Sequence, residues 1–497
     1  MSDATFNEVR LGEIDRNQYV LRPIDVDGLV GQTHPVRGIW EMAGRLDLRG
    51  YYEEIRSLKG GAGRSAHDPR LLISIWIYAY SEGIGSAREI ARLCQSDPAF
   101  QWLTGLQEIN HHSLSDFRVK HGKALEQLLV QVLGVLGLEG LVQLKRVTHD
   151  GTRIRACAGA DSFRREDRLK AHLKMARRQV QKLTQGEQAE PSNKKKAAAQ
   201  VRASNERAER LAKALEQLEE IRKHSDKPEE ECRASWSDPD SRVMKHGDGG
   251  YGPSYNVQLS TDADSGIIVG VGVSQSSSDN VLLGEAIEQV EKTAGRLPEQ
   301  LVVDGGFITA DAIRNAGQKG VELIGPAISA DQKAAAERRA SEKGTFSGPS
   351  FQYVAGEDYF ICAAGKKLMF RSKERRHGGT RYRYMARAED CQACQFKKFC
   401  CPGTKQGRWL TRQVDDAEVM AFRQKMQTDA MKAIYKKRGA VAEFTNLWIK
   451  AKIGLRQFRV RGLQKVRTET LWACLTYNLQ QWLRLCWRPR VLKEGTA

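Results

Sequence analysis

The stretch KRVTHDG, Lys145–Gly151, joins an apolar run to an Asp-Gly pair, and QLVVDGG repeats this arrangement at Gln300–Gly306. Short runs rich in β-branched and aliphatic residues predict a strand in each case. Each strand therefore ends in a carboxylate, Asp150 or Asp304. An Asp-Gly pair after a β run is also a common turn, so either aspartate taken alone has that simpler explanation.

The chain between these two runs continues the alternation of strands and helix. YNVQLSTDADSGIIVGVGVSQ, residues 255–275, predicts an antiparallel hairpin around the turn DADSG. SDNVLLGEAIEQVEKT, residues 278–293, predicts an amphipathic helix with Ser278 or Asp279 as its cap. VELIGPA, residues 321–327, predicts a further strand.

Two other parts of the chain are predicted to be helical. The first 145 residues contain the apolar helix DPRLLISIWIYAYSEG and then GSAREIARLC, in which Ser86 and Glu89 have capping-box spacing. Successive short helices suit a helix-turn-helix-like DNA-binding unit, although any small helical bundle has a similar pattern. Residues 163–224 predict a charged helical hairpin, interrupted at GEQAEPSN, residues 186–193. The hairpin either pairs with a partner or is a solvated spacer.

A late basic stretch contains a lone acid. YKKRGAVAEFTNLWIKAKIGLRQFRVRG, Tyr435–Gly462, has Glu443 as its single acidic residue among many lysines and arginines. At ~100° per residue, Glu443 and Lys450 fall within ~20° of one another on one helical face. The helix is predicted to start near Gly439, which leaves Tyr435 and Arg438 on the preceding turn. A plain surface pair is the simplest explanation of Glu443 and Lys450 taken alone.

The charge of the chain is concentrated in one region. The formal net charge is +18, and Lys366–Arg467 contains 27 basic and 8 acidic residues. Such a region attracts polyanions, of which nucleic acid is the commonest, although a basic surface that only keeps the protein in solution has the same composition. No apolar run approaches the ~18 residues of a membrane span, and the start of the sequence lacks the features of a signal peptide. A cytoplasmic location without a membrane partner is therefore expected.

Ten cysteines in a cytoplasmic chain are expected to be thiols or metal ligands rather than disulfides. Cys391 and Cys394 have the C-x-x-C spacing that lets two thiolates bind one ion, and Cys362 with Cys400 or Cys401 completes four ligands. These residues predict a structural Zn²⁺ site in a basic insertion. The alternative is a reduced set of thiols that packs the insertion without a metal.

Taken together, these features resemble the RNase-H-like core of bacterial insertion-sequence transposases with a DDE active site. Tyr435, Arg438, Glu443 and Lys450 resemble the Tyr-Arg-Glu-Lys signature of one large branch of them. Four residues separate Arg438 from Glu443, whereas the commonest form of the signature has three. The segments DPRLLISIWIYAY, GSAREIARLC and HHSLSDF are similar to the helical N-terminal domain of that branch. The resemblance extends from about Arg37 to Leu485.

The resemblance implies an α/β fold with an RNase-H-like catalytic core, in which helices flank a mixed sheet. An all-helical N-terminal domain, a helical-hairpin insertion and a basic Cys-rich insertion would complete the chain. The expected boundaries are 1–145 for the helical DNA-binding domain, 146–162, 233–330 and 430–488 for the catalytic core, 163–232 for the helical hairpin and 331–429 for the basic Cys-rich insertion.

The resemblance also implies a DNA transposase that binds element ends, hydrolyses phosphodiester bonds and transfers the 3′-OH strand into target DNA. Asp150 would bridge two Mg²⁺ ions about 4 Å apart, with Asp304 on one ion and Glu443 on the other. Mn²⁺ would be a substitute. The partners would be double-stranded DNA, at element ends and target, and at least one more copy of the chain. The protein would lie in the bacterial cytoplasm, associated with the nucleoid.

The same resemblance gives Tyr435, Arg438 and Lys450 the role of phosphate contacts near the cut. His149, beside Asp150, is interpreted as a flanking strand residue, because two-metal sites activate water without a histidine. Two other functions stay open. One is a non-catalytic DNA-binding regulator derived from a transposase, against which three intact acids argue. The other is an RNase-H-like nuclease that cleaves without joining, against which the separate helical first domain argues.

Overall fold

The computed structural model describes residues 17, 19, 21, 23–57, 65–185, 194–225, 228–326, 342, 344–346, 350–376 and 378–494. The break predicted at 186–193 and the boundary predicted between 330 and 331 lie outside these residues. In the described part of the chain, no helix is both long and apolar enough to cross a membrane.

A helical N-terminal region precedes two larger sheets and a second group of helices. The strands are β1 (Arg146–Arg155), β2 (Phe163–Arg164), β3 (Ala234–Ser235), β4 (Arg242–Lys245), β5 (Tyr251–Asp262), β6 (Ile268–Ser274), β7 (Gln300–Val302), β8 (Glu322–Ile324), β9 (Phe351–Val354), β10 (Tyr359–Cys362), β11 (Lys367–Arg376), β12 (Gly379–Ala386) and β13 (Trp409–Asp415). The helices are α1 (Pro35–Arg45), α2 (Arg49–Tyr52), α3 (Pro69–Ser81), α4 (Ala87–Ser96), α5 (Pro98–Thr104), α6 (His111–Lys120), α7 (Gly122–Leu138), α8 (Glu166–Thr184), α9 (Lys194–Lys223), α10 (Leu283–Ala294), α11 (Ala310–Gln318), α12 (Ala388–Gln392), α13 (Lys397–Cys400), α14 (Ala417–Met426), α15 (Asp429–Lys436), α16 (Arg438–Ala451), α17 (Leu463–Trp482) and α18 (Arg488–Glu494).

β1 is the central strand of the main sheet. One edge of β1 pairs antiparallel with β5, and the other pairs parallel with β7, with Thr148 opposite Val302. β5 has β4 beside its start and β6 beside its end, and β7 pairs parallel with β8. The sheet is therefore mixed, with the order β6–β5–β1–β7–β8 and the short β4 on the outer edge of β5.

The long helix α17 is buried on nearly every side. Trp472, Tyr477 and Trp482 are at most 1% exposed, and the helix packs against α3, α7 and β6. The side chain of Asn478 donates to the carbonyl of Ile268 and accepts from its amide, both at 2.8 Å. The side-chain amide of Asn478 therefore satisfies the backbone N–H and C=O of Ile268 at the edge of β6, as a neighbouring strand would. Through α17, the N-terminal helices and the main sheet share one continuous core.

A buried ion pair crosses the same junction. Arg118 Nη1 of α6 lies 3.7 Å from Glu469 Oε1 of α17, and their side chains are 8% and 1% exposed. Glu469 also accepts the backbone N–H of Arg459 at 3.0 Å. Burial raises the pKa of Glu469, and the Arg118 charge opposes that shift. The loss of either partner would leave a charge without compensation inside the core.

Two insertions have small cores of their own. α8 and α9 pack against each other around Leu169, Leu173, Leu211 and Leu218. The strands β9–β13 form a separate antiparallel sheet, ordered β13–β12–β11–β10–β9. In the part of this unit that the structure describes, the central apolar cluster is Phe351, Leu368, Tyr384 and Ala386, with eight partly buried apolar side chains packed against it.

The predicted fold class is confirmed. A mixed sheet flanked by helices, with an RNase-H-like strand order, follows an all-helical N-terminal region. The predicted β5–β6 hairpin and the pair of helices in 163–224 are also present. The domain boundaries stay predictions. One hydrophobic core continues from α7 through α17 into the sheet. The packing is therefore not interrupted at residue 145, where the N-terminal domain was predicted to end.

We expect Glu469→Gln to lower the free energy of unfolding by about 3–5 kcal/mol, since Arg118 would stay buried without its anionic partner. Urea denaturation followed by tryptophan fluorescence measures the change. Glu126→Gln is the control, because it breaks the exposed Lys292–Glu126 pair across the neighbouring α7–α10 contact. That change should be within about 1 kcal/mol. Equal effects of the two substitutions would contradict the role given to the buried pair.

Candidate active site

The two aspartates of the Asp-Gly pairs lie side by side on adjacent parallel strands. Thr148 pairs with Val302, and two residues further along each chain stand Asp150 and Asp304. Asp150 is still within β1, whereas Asp304 follows the end of β7 and accepts the Gly306 amide at 2.8 Å. The register of β1 and β7 therefore brings two carboxylates together that are far apart in the sequence.

The pKa of Asp150 reflects its burial and the nearby charges. Burial is the main cause that raises it, the Arg438 charge lowers it, the neighbouring Asp304 carboxylate raises it, and the net pKa is about 6. The Asp150 side chain is only 18% exposed. A carboxylate in this position is held at high energy when ionised, so a cation beside it would be favoured.

Helix α16 supplies the groups that face Asp150. Asn446 Nδ2 donates to Asp150 Oδ2 at 3.0 Å, and Arg438 Nη1 lies 3.8 Å from Asp150 Oδ1. Burial lowers the pKa of Lys450, and the nearby Asp150 carboxylate opposes that shift. Asn446 was not predicted from the sequence. Its position three residues after Glu443 and four before Lys450 is the helical spacing that could have indicated it.

Glu443 does not contact the aspartates. Its side chain is exposed, and Oε1 turns back along the helix, to 3.3 Å from the position that a Cβ on Gly439 would occupy. Among the described residues, no hydrogen bond or ion pair joins Glu443 to Asp150 or Asp304, whereas Asn446 one turn along the helix does contact Asp150. The structure thus places Glu443 on the rim of the site.

The helix starts within one residue of its predicted start near Gly439, but the predicted turn before it is wrong. α16 begins at Arg438, and Tyr435 belongs to the last turn of α15, with only Lys437 between the two helices. Tyr435 is partly buried against the main core. Arg438 lies in the first turn of α16, and from there its Nη1 comes within 3.8 Å of Asp150 Oδ1.

The opposite face of β1 carries His149, as alternation along a strand requires. Its ring is 1% exposed, with Nδ1 2.8 Å from Ser260 Oγ and Nε2 2.8 Å from Gln258 Oε1. Burial lowers the pKa of His149 to about 4. This geometry agrees with the interpretation of His149 as a flanking strand residue and not a general base.

Asp279 is a further acid near the site, and its predicted role as a helix cap is wrong. α10 begins at Leu283 after Leu282, and no side-chain cap hydrogen bond is present there. Instead, Asp279 accepts from Asn256 Nδ2 at 2.7 Å and Gln258 Nε2 at 3.1 Å, and Arg153 lies 3.3 Å away.

Gly151 leaves room for Asp279 behind Asp150. A Cβ on Gly151 would stand 2.7 Å from Asp279 Oδ1, whereas a Cβ on Gly306, two residues after Asp304, would be at an ordinary 3.9 Å from the Asp279 Cβ. Asp279 therefore lies close to the backbone that follows each aspartate, and the glycine at 151 admits its carboxylate.

The residues around Asp150 fit a divalent cation. In the described ranges, no three His, Cys, Asp or Glu side chains already stand together as a metal-binding group. Asn446 Oδ1 is nevertheless buried beside Asp150 without a hydrogen-bond partner, and an amide oxygen of this kind could ligate a divalent cation together with the carboxylate. Arg438 Nη1 also lacks a hydrogen-bond partner, but a positively charged donor cannot ligate a cation and would suit an anion such as a phosphate oxygen.

Comparison with known protein families gives two matches. A family model described as a transposase DDE domain matches residues 361–483, and one described as a transposase domain, DUF772, matches residues 25–120. Both are characteristic of bacterial insertion-sequence transposases. The first match includes Glu443 and Lys450 but begins after Asp150 and Asp304. Searches of curated proteins and of solved structures found no match.

Gly151→Ala should lower the free energy of unfolding by about 1–3 kcal/mol, because the new Cβ would overlap Gln258 Nε2 at 2.5 Å and Asp279 Oδ1 at 2.7 Å. Gly272→Ala, two strands away, is the matched control, since its Cβ would meet only Gln258 Cβ at an ordinary 3.5 Å. Urea denaturation of both variants measures the difference. An unchanged Gly151→Ala variant would show that Asp279 does not occupy this space.

The raised pKa of Asp150 predicts a pH-dependent instability without metal. Its folded pKa of about 6 exceeds the ordinary 3.8, so ionisation destabilises the fold fully above pH 6 and not at all below pH 3.8. In EDTA, Asp150→Asn should therefore add about 2–3 kcal/mol to the free energy of unfolding at pH 8. The gain should vanish near pH 4. Asp429→Asn, at a fully exposed site, should show no such trend. A gain that is the same at both pH values would contradict the assignment.

Proposed function

We propose that this protein is a DNA transposase that cuts at the ends of its element and joins the freed 3′ hydroxyls to target DNA by two-metal-ion catalysis. The observation that carries the proposal is the side-by-side placement of Asp150 and Asp304 next to a basic helix. Both family matches, to transposase domains at either end of the chain, point in the same direction.

In this proposal, Asp150, Asp304 and Glu443 hold two Mg²⁺ ions, with Mn²⁺ as a substitute. When bound, the ions would offset the charge that develops on the attacking and leaving oxygens of an in-line displacement. Asp150 is suited to the bridging position, since it lies between Asp304 and α16. Glu443 would join them by a change of side-chain rotamer, because it lies one helical turn from Asn446, which already contacts Asp150.

The basic groups near Asp150 are suited to hold a DNA backbone. Arg438 and Lys450 flank Asp150 from α16, and Tyr435 would add a contact from the end of α15. At the other end of β1, Arg155 is 60% exposed and its amide donates to the carbonyl of exposed Arg456. A phosphate backbone laid along α16 would therefore meet positive charge on both sides of the cut.

The two chemical steps would use the same residues. In the first, water attacks phosphorus, and the 3′ oxygen of the element end leaves as a hydroxyl. In the second, that 3′ hydroxyl attacks a target phosphodiester, and a target 3′ oxygen leaves. Each step replaces one P–O bond by another, so no covalent enzyme intermediate is needed. Two ends must be cut and joined together, which requires at least two copies of the chain in the nucleoid-associated complex.

One observation favours a second candidate, a DNA-binding regulator without catalysis. Glu443 is exposed and turned away from the aspartates, as it would be in a chain that keeps the fold but not the reaction. A nuclease that cleaves without joining is the third candidate, because the same aspartates would serve it.

Labelled DNA carrying the ends of the element, with Mg²⁺ or Mn²⁺ and supercoiled target, separates these functions. The wild type should cleave and join. Asp150→Asn, Asp304→Asn and Glu443→Gln should each lower cleavage by at least about 100-fold, since each removes a metal ligand. DNA binding by the three variants should stay close to that of the wild type. Glu418→Gln, on the exposed surface of α14, should cleave normally.

Each other outcome has a definite meaning. Equal cleavage by the wild type and the three variants would overturn the catalytic assignment. Binding without cleavage by the wild type would support the regulator. Cleavage without joined products would support the nuclease.

A further inference from the structure

Five cysteines of the inserted sheet surround one small cavity. The cavity has a volume of about 30 Å³ and is lined by the thiols together with apolar and basic side chains and one acidic side chain, Asp390. Its cysteines are Cys362, Cys391, Cys394, Cys400 and Cys401. The other five cysteines of the chain lie elsewhere, and all ten are free thiols.

The cavity is built from two segments that the sequence separates. Cys362 ends β10 at a tight turn, in which the Gly365 amide donates to the Cys362 carbonyl at 2.8 Å. The other thiols come from α12, α13 and the residues next to them. A backbone amide, that of Arg408, already points at Cys391 Sγ at 3.3 Å. Amides directed at sulfur and a turn at the first ligand are typical of zinc sites with cysteine ligands.

The cysteines of the two segments are close to one another. All five line the one cavity of about 30 Å³. The backbone amide of Arg408 donates to Cys391 Sγ at 3.3 Å, and its side chain donates to the Cys400 carbonyl at 2.7 Å. The thiols thus share one small volume.

The inserted sheet has a small apolar core. Among the described residues, its central cluster has four buried members, and eight partly buried apolar side chains pack against them, in a unit that spans roughly residues 350–416. Units of this size rarely bury enough apolar surface to be stable alone and commonly depend on disulfides or a structural metal. Free thiols leave the metal as the available cross-link.

Basic side chains at the cavity are suited to the charge of a metal–thiolate centre. Four thiolates around a divalent ion carry a net charge of −2, and Lys397 and Arg408 line the cavity together with Lys366, which is paired with Asp390 at 3.4 Å. Arg408 Nε is buried without a hydrogen-bond partner, although its Nη1 donates to the Cys400 carbonyl at 2.7 Å. A thiolate would be an acceptor for this free N–H group.

We propose that this cavity binds one Zn²⁺ ion through Cys362, Cys391, Cys394 and one thiolate of the Cys400–Cys401 pair. The ion links the β10–β11 turn to α12 and α13. Binding draws the thiols inward, because no three of the described side chains yet stand as a metal-binding group. A cavity of this size, lined by at least four thiols, suits a single ion with tetrahedral thiolate ligands.

The ion would fix a basic surface. β11 follows the Cys362 turn directly, and its alternate residues Arg371, Lys373 and Arg375 are exposed. A loose turn at Cys362 would leave the strand that carries these charges without an anchor at its start. The zinc centre is therefore a structural support for the positive face of the insertion, and it is independent of the ions at Asp150.

Metal analysis of the full-length protein tests this proposal. The chain purified without chelator should contain close to one zinc per molecule. After zinc is removed, titration with Co²⁺ should give the thiolate-to-cobalt charge-transfer band and the visible bands of a tetrahedral site. Cys391→Ser and Cys362→Ser should lose most of the zinc. Cys486→Ser, at a partly buried cysteine outside the insertion, should retain it. Cys400→Ser and Cys401→Ser, made separately, show which of the pair is the fourth ligand.

Several results would overturn the proposal. One is a wild-type chain that contains no zinc and gives no cobalt–thiolate band at saturating Co²⁺. Another is Cys391→Ser and Cys362→Ser retaining as much zinc as Cys486→Ser. A visible iron–sulfur spectrum would also contradict it. The wild-type measurement alone can refute the zinc site. The proposal therefore stays testable even if a cysteine variant misfolds. Asp304→Asn, which should not cleave DNA, should retain its zinc. The zinc proposal can therefore be refuted while the catalytic proposal stands, and the reverse.

Discussion

The parallel pairing of β1 with β7 is the constraint on which the candidate site depends. Its register puts Asp150 and Asp304 side by side, although 153 residues separate them in the sequence. Burial of Asp150 is the main reason for its raised pKa, and the nearby Asp304 carboxylate adds to it, whereas the Arg438 charge opposes both. A cation beside the two aspartates would offset the cost of ionising Asp150. Asp279, whose carboxylate lies beside Gly151, packs behind the two aspartates on the other face of the sheet.

A second constraint is the central position of α17. It contacts the N-terminal helices, the edge of β6 and, through a hydrogen bond between Gln480 and Trp448, the helix that carries Glu443. The N-terminal region, which matches one transposase family model, is therefore joined rigidly to the sheet that carries the aspartates. In a transposase, such a junction would transmit the position of a bound DNA end to the reacting phosphate.

The resemblance carried by the sequence motifs was sufficient for the fold class, and the change from strand to helix patterns agrees with it. Apolar runs that end in Asp-Gly also indicated Asp150 and Asp304 as candidates. Local patterns could not predict Asp279, which resembled a cap but turns into the sheet. Helical spacing puts Asn446 near the face of Lys450, but its contact with Asp150 depends on how α16 crosses β1. Nor could local patterns show that Glu443 would lie on the rim, because a side-chain rotamer depends on neighbours and ligands that periodicity does not report. Local patterns also could not show that one core continues across residue 145, because this continuity comes from packing against α17.

The central claim is that Asp150, Asp304 and Glu443 share one pair of ions. Electron paramagnetic resonance of Mn²⁺ bound to the protein in the presence of an element end tests this claim most directly, because two ions bridged by a carboxylate give an exchange-coupled spectrum. The account predicts that the wild type shows this spectrum and that Asp150→Asn, Asp304→Asn and Glu443→Gln each abolish it. A wild type with only isolated Mn²⁺ signals, or a coupled spectrum that survives Glu443→Gln, would contradict the account.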